Sequence, residues 1–287
     1  MRINLLITSI IFSKDRPAQL DLCLNSIEKN FPDSKHNIVI YNNSQDFADS
    51  YRTVQKEHSD VLFWPQGPSL FKDTYAAIAS AKYDHVCFFT DDDICFAEVP
   101  SIPYEAIFTE SYVTCVSLRL GLNICQRSHE GDVSSDKVGE HYINGDIISW
   151  PRTSYLYGSY WSYSLSVDGH IFRKEDMTNM IDELCYLESR YKWGHTPNVL
   201  ESELQRFWTT SPNFMIAPKS SVVVNSPNNR VQESHPENRA GDSHAADSYF
   251  LLGKYLSGQR IKLEYLNFDN IKCPHTEIDL MVGMHDK

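Results

Sequence analysis

Through the first third of the chain, apolar runs alternate with helical spacings, the pattern of parallel βαβ units. The first run, Ile3–Phe12, is short and passes at once into Ser13-Lys14-Asp15-Arg16-Pro17, so it predicts a buried strand and not a signal peptide. Leu20, Cys23, Leu24, Ile27 and Phe31 follow at helical spacing, with Pro17 suited to a first turn. Asn37–Tyr41 predicts a second strand, Asp46–His58 a polar helix and Val61–Trp64 a third strand. Ser69 is placed to cap a helix whose Phe71, Tyr75 and Ile78 share one face. The fourth run, His85–Thr90, lacks alternation, as a strand covered on both faces does, and it leads directly into Asp91, Asp92 and Asp93.

Further on, Val113–Leu120 predicts another strand and the polar stretch Gln126–Asp146 a long mobile loop. Aromatic residues from Trp150 to Tyr163 precede Asp168-Gly169-His170. Helices are expected over Lys174–Tyr191, Asn198–Phe207 and Ala246–Leu256, and strands over Ser221–Asn225 and Ile261–Phe268. With no internal repeat or flexible linker, residues 1–287 are expected to form a single α/β domain whose C-terminal part, 226–287, wraps the rest.

Composition narrows the function. The 287 residues are 41% hydrophobic and 22% charged, a globular balance. A net charge of -12 argues against nonspecific binding to phosphate backbones, so no nucleic-acid partner is expected. No apolar run reaches the roughly 20 residues of a membrane span. The 7 cysteines include no C-x-x-C pair, which fits reduced thiols in a cytoplasm-like compartment and disfavours structural zinc. The first glycine is Gly67, so the first strand-turn-helix unit is neither a dinucleotide fingerprint nor a P-loop.

Three consecutive carboxylates at the end of a buried parallel strand repel one another strongly unless a cation binds there. On an extended backbone Asp91 and Asp93 would point the same way, toward Mg²⁺ or Mn²⁺ shared with phosphate oxygens. A solvated acidic turn is the plainer alternative.

Phe88-Phe89-Thr90-Asp91-Asp92-Asp93 resembles the DxD motif of GT-A glycosyltransferases, which move sugars from nucleotide-diphosphate donors. Thr8 to Pro17 is similar to the first strand and loop of that family, where nucleoside is held, and Tyr41-Asn42-Asn43-Ser44 falls where its second strand ends. The resemblance covers about residues 1–225. It implies a Rossmann-like mixed sheet flanked by helices, with a nucleotide-sugar-binding half over 1–125 and an acceptor-side half over 126–225. It also implies a Mn²⁺ or Mg²⁺ cofactor, a nucleotide-sugar donor and a glycan or other hydroxyl acceptor.

Residue by residue, the resemblance makes Asp93 the direct metal ligand and Asp91 a contact to ribose or metal-bound water, with Asp92 beside them. Ser13, Lys14, Arg16, Asn43, Lys72 and Arg230 are candidates for holding the nucleotide or its diphosphate. Asp168, before Gly169, resembles the loop that meets donor sugar and acceptor, although Asp-Gly also makes an ordinary tight turn. Glu201 resembles the first acidic residue of the family's xED motif, but Ser202 stands where the usual catalytic Asp would be. The general base is then expected to be Glu201, Asp168 or Glu203, in that order, or no residue at all, with inverting and retaining transfer both open; the plainer reading of Glu201 and Glu203 is that they only enrich a helix's first turn. His235, or else His244 or Asn225, would complete the metal shell. The aromatics between Trp150 and Trp161 are either core or a platform for sugar faces. Two other readings stay open: a metal-dependent phosphohydrolase using the same carboxylates, and a noncatalytic carbohydrate-binding protein of the same fold.

Overall fold

A computed structural model of the chain describes residues 6–101, 104–127, 138–155, 159–188, 196–232 and 239–287. Four parallel strands form one side of the central sheet: β1 (Ile7–Lys14), β2 (Ser34–Asn42), β3 (Leu62–Pro65) and β4 (His85–Thr90), in the order β3-β2-β1-β4. Between them run α1 (Pro17–Asn30), α2 (Ala48–Glu57) and α3 (Leu70–Ser80). Pro17 opens α1, where a missing N–H costs nothing, and Ser69 caps α3 by accepting from the Lys72 N–H. Both β1 and β4 are buried except at their last residue, which is why neither shows the alternation of a half-exposed strand; the polar Thr8, Ser9 and His85 are buried with the rest.

After β4 the chain turns at Asp91–Asp92 into β5 (Asp93–Cys95), then α4 (Tyr104–Thr109) and β6 (Val113–Ser117). The stretch predicted as a long loop ends in the first strand and turn of a hairpin: β7 (Tyr142–Asn144) pairs antiparallel with β8 (Ile147–Pro151) around Gly145, whose φ is +61°. Residues 128–137, the middle of that stretch, lie outside the described residues. Next come β9 (His170–Arg173), α5 (Lys174–Glu188), α6 (Pro197–Leu204), β10 (Phe214–Pro218) and β11 (Val223–Asn225). The chain closes with α7 (Ser248–Leu256), β12 (Gln259–Ile261) and β13 (Met284–Asp286). The strand expected over Ile261–Phe268 does not form: β12 ends at Ile261 and a 3-10 turn over Leu263–Tyr265 follows, while its partner β13 has too little apolar pattern to be read from sequence.

The whole central sheet has nine strands in the order β3-β2-β1-β4-β9-β6-β10-β8-β7, a mixed sheet flanked by helices. Within it β9 runs antiparallel to both β4 and β6. A strand running against its neighbours begins where they end, so the residues just before β9 fall at the carboxyl ends of β4 and β6. Gly169 is bonded to both sides, donating to the Phe88 carbonyl and accepting from the Leu118 N–H, each at 2.8 Å. Its φ of +63° suits glycine, and a Cβ there would meet Val223 Cγ1 at 3.0 Å.

Trp150 and Trp161 are core residues. Both are fully buried, their rings meet edge to face at 4.9 Å, and the Trp150 indole N–H donates to the Trp161 carbonyl. The sugar-platform reading fails for this pair because neither ring reaches solvent.

Gly121 lies where the chain beyond β6 passes the 220s. A Cβ at this position would fall 2.3 Å from the Ser221 backbone nitrogen and 2.5 Å from the Ser220 carbonyl carbon. Backbone atoms cannot rotate away, so Gly121→Ala is expected to lower stability by about 1–3 kcal/mol through overpacking. Urea unfolding checks this; an unchanged midpoint would mean that the two segments are less closely apposed.

Candidate active site

The end of β1 prepares the site. Asp15 has a left-handed φ of 51°, held by its carboxylate accepting from the Ser44 N–H at 2.7 Å, and this turn sends Arg16 back across the sheet. There the Arg16 guanidinium donates to Asp91 Oδ1 at 3.0 Å and to Asp92 Oδ2 at 2.8 Å. On its other side it donates to the side chain and carbonyl of Asn229. Asp91 Oδ2 also accepts from the Ser13 hydroxyl and the Lys14 N–H, both at 2.9 Å.

The three carboxylates do not share one direction, because the backbone turns at Asp91–Asp92 instead of staying extended. Asp93 points inward at 1% exposure, with Oδ2 accepting from the Thr90 N–H and Oδ1 from the Asn225 amide. Asp93, expected as the direct metal ligand, is not in the cleft lining, whereas Asp91 and Asp92 face the cleft. Asn225 belongs to this cluster because β11 pairs with β5, setting Asn225 opposite Asp93. Burial, offset by Arg16 and reinforced by the Asp92 charge, pushes the Asp91 carboxyl up to about 6. Burial, with Asp168 and Asp92 nearby, raises Asp93 well above the ordinary range. For Arg16, burial acts to lower the value, but Asp92 and Asp91 outweigh it and hold the guanidinium charged.

A second cluster stands at the head of β9. Asp168 Oδ2 accepts from Arg119 NH1 at 2.8 Å, and Arg119 is itself 2% exposed. Glu201, on α6, brackets the loop before β9: its Oε1 accepts from the Ser166 hydroxyl at 2.6 Å and the Val167 N–H at 3.2 Å. Burial first, and then the Glu201 charge, lift the Asp168 carboxyl to about 7, with Arg119 opposing. His275 completes the cluster, with Nε2 3.4 Å from Arg119 NH1 and Nδ1 3.1 Å from Asn225 Oδ1.

Both clusters line one cleft of about 540 Å³ at the carboxyl ends of β1 and β4. Of the residues named from sequence, Ser13, Lys14, Arg16 and Arg230 line it, as do Asp91, Asp92, Asp168 and Glu201. Five do not. The Asn43 amide donates to the Ser44 carbonyl, and Asn42 lines the cleft in its place. Lys72 is an exposed residue of α3 away from the lining. Glu203 is turned to Arg206 on another face of α6, and His244 is 45% exposed, 4.0 Å from Asp279. Asp93 is the fifth, and His235 lies outside the described residues.

Sequence reasoning missed Arg119 and His275. Arg119 had a legible signal, a lone arginine among apolar residues at the end of a predicted strand. His275 had none, since its approach depends on the bridge that pairs it with Asn225.

The cleft is lined by six cationic side chains (Lys14, Arg16, Arg119, Arg127, Arg230, Arg239) and four carboxylates, in a chain whose net charge is -12. It therefore concentrates positive charge and suits an anionic ligand. Among the described residues, no three His, Cys, Asp or Glu side chains converge on a metal position. Two hard carboxylates facing the cleft, Asp91 and Asp92, nonetheless suit Mg²⁺ or Mn²⁺, which takes one or two carboxylates and fills its shell with phosphate oxygens and water.

No family model matches the sequence, and no curated protein matches it. Among solved structures, the chain is similar to residues 1–349 of TarS from S. aureus in complex with UDP: 14% identity, TM-score 0.45, 76% of this chain and 59% of that one covered. The chain thus spans less than two thirds of that fragment. It is also similar to the 4-diphosphocytidyl-2C-methyl-D-erythritol synthase of Anaerococcus prevotii, at 11% identity and a TM-score of 0.44, covering 76% of this chain and 91% of that one.

Proposed function

We propose that the chain is a GT-A-type glycosyltransferase that moves a sugar from a nucleoside-diphosphate donor to a hydroxyl acceptor. One observation carries the reading: an acidic protein gathers six cations and a carboxylate turn in one cleft at the carboxyl ends of its parallel strands. Nucleoside diphosphate lies along the β1 side, where Ser13, Lys14, Arg16 and Arg230 meet its charge, arginine by paired N–H donors. Asp91 and Asp92 would hold a divalent ion, which would supply Lewis-acid neutralisation of the leaving diphosphate. Residues 1–125 provide most of the donor side and 126–225 the acceptor side, while 226–287 closes the cleft through Asn229, Arg230 and His275.

Asp168 accepts the acceptor's proton, which reverses the order read from sequence. Its carboxyl borders the cleft against Arg119 and is raised to about 7 by burial and the Glu201 charge. Glu201 spends one carboxylate oxygen on the loop before β9 and supplies the charge that raises its neighbour. Tyr160 and Tyr163, which line the same side, border the acceptor entrance. All seven cysteines are free thiols, which supports a reducing, cytoplasm-like setting. No helix among the described residues is long and apolar enough to cross a membrane.

Calorimetric titration with UDP, GDP, ADP and CDP, in Mn²⁺ and in EDTA, tests the reading. At least one nucleotide is expected to bind more tightly with Mn²⁺, and Asp92→Asn to weaken that binding by about tenfold, the size of one charged contact. No binding by any of the four, or phosphate release from the nucleotide without sugar transfer, would overturn it.

A further inference from the structure

The hydrogen bonds around Asn225 fix the protonation of a histidine that sequence did not single out. The Asn225 Nδ2 group lies 3.0 Å from Asp92 Oδ1, 3.2 Å from Asp93 Oδ1 and 3.2 Å from the Thr90 hydroxyl. Asp92 is ion-paired with Arg16, and a carboxylate so paired only accepts, so this end of the amide is the NH₂. The opposite end, Oδ1, is then an acceptor, and the His275 Nδ1 facing it at 3.1 Å must carry a proton. On the far side of the ring, Nε2 faces Arg119 NH1 at 3.4 Å, and a guanidinium only donates. His275 is therefore neutral, protonated on Nδ1, with its Nε2 lone pair turned to Arg119 and Arg119 in turn bonded to Asp168.

We infer that His275 is a positioning residue: through its Nε2 lone pair it holds Arg119 against Asp168 and so keeps the proton-accepting carboxylate aimed and ionisable. The inference rests on the glycosyltransferase reading for the role of Asp168, while the hydrogen-bond chain stands without it. The C-terminal segment becomes part of the site by this route. Asn225 and His275 pair as a parallel bridge, with the Asn225 N–H donating to the Pro274 carbonyl and the Thr276 N–H to the Asn225 carbonyl. The same segment is tied to the region beyond β6 by the Cys125 N–H donating to the Lys272 carbonyl and by the Asn123 amide donating to the Ile271 carbonyl. Five stretches of chain, around residues 92, 119, 168, 225 and 275, are thereby joined in one line.

Protonating His275, which is half-buried, would set an N–H against the buried Arg119 guanidinium and place two like charges side by side. The Tyr160 ring also lies against the imidazole, at 5.7 Å between centroids. Beyond Arg119 stands Asp168, and beyond Asn225 stand Asp92 and Asp93. The carboxylates favour a charged imidazole and the adjacent guanidinium opposes it.

Two measurements on the full chain test the inference. Imidazole ¹⁵N spectra of the unliganded protein at pH 7 are expected to show His275 as the Nδ1–H tautomer; the Nε2–H tautomer or a charged ring would overturn the chain whatever the protein's activity. The ¹³C titration of the Asp168 carboxyl is expected to move to higher pH in His275→Ala and to return toward wild type in His275→Gln, which keeps an acceptor toward Arg119. In turnover, His275→Ala is expected to lower kcat by about tenfold, the size of one hydrogen bond to a charged group, with donor KM little changed. An Asp168 titration unmoved in His275→Ala would sink the positioning role. A shifted titration in a protein that transfers no sugar would sink the glycosyltransferase reading and leave the chain of bonds intact.

Discussion

Asp168→Asn is expected to lower turnover by about 10²–10⁴-fold, with little change in affinity for the nucleoside diphosphate. Asparagine keeps the shape and the contact to Arg119 but cannot take a proton. The pH profile follows from the same group. Burial and the Glu201 charge hold the Asp168 carboxyl at about 7, so wild-type turnover should rise as pH increases through that value. Glu201→Gln removes one of the raising charges and is expected to move the rise toward lower pH. Stability runs in the opposite sense. A carboxyl whose folded-state value is raised contributes stability that is fully present below its ordinary value near 3.8 and is lost as pH climbs through about 7. Thermal midpoints from pH 4 to 8 should therefore fall more steeply for wild type than for Asp168→Asn. Full turnover in Asp168→Asn would remove the residue from the reaction and return the role to Glu201.

Much of this site is legible in the sequence because its donor side is built from local order. The β1 and β4 strands are mostly apolar and buried except at their last residue, and the residues directly after each must emerge at the carboxyl edge of the sheet. Ser13, Lys14, Arg16 and the Asp91–Asp93 turn can therefore be placed together from sequence alone. The direction of each side chain in the turn cannot. It depends on where the backbone leaves the extended form, and a register shift of one residue exchanges inward and outward positions. The inward turn of Asp93 is not readable from sequence for that reason. The acceptor side is less legible still. Arg119, Asp168, Glu201 and His275 come from four distant stretches, brought together by β9 entering antiparallel and by the pairing of Asn225 with His275. Neither event leaves a periodic trace in the sequence. Glu203 shows the converse: two residues from Glu201 on the same helix, it turns to Arg206, because neighbours at i and i+2 on a helix do not face the same way.

Arg16→Met should be the most destabilising single change at the site. The guanidinium is 11% exposed and faces Asp91 at 4% and Asp92 at 10%, so the pairs are largely shielded from water. Removing one member of a buried ion pair leaves charge without compensation, and the expected loss is about 3–5 kcal/mol at pH 8. Met keeps most of the volume, so the loss reports charge and hydrogen bonding more than an empty cavity. Arg16 also ties the C-terminal wrap to the first strand through Asn229, and that link disappears with it. The pH dependence separates the two contributions. Asp91 already sits near 6 with Arg16 in place, and without Arg16 it should take up a proton more readily still, so the deficit is expected to shrink between pH 8 and pH 5. Mn²⁺ should restore part of the stability at pH 8 if Asp91 and Asp92 can hold a cation once the guanidinium is gone. Urea unfolding at the two pH values, with and without Mn²⁺, gives all of these quantities. A deficit that is the same at pH 5 and pH 8 would assign the loss to the Asn229 link and not to the carboxylates. No deficit at either pH would show that the carboxylate turn is solvated, and the ionic account of the site would fall.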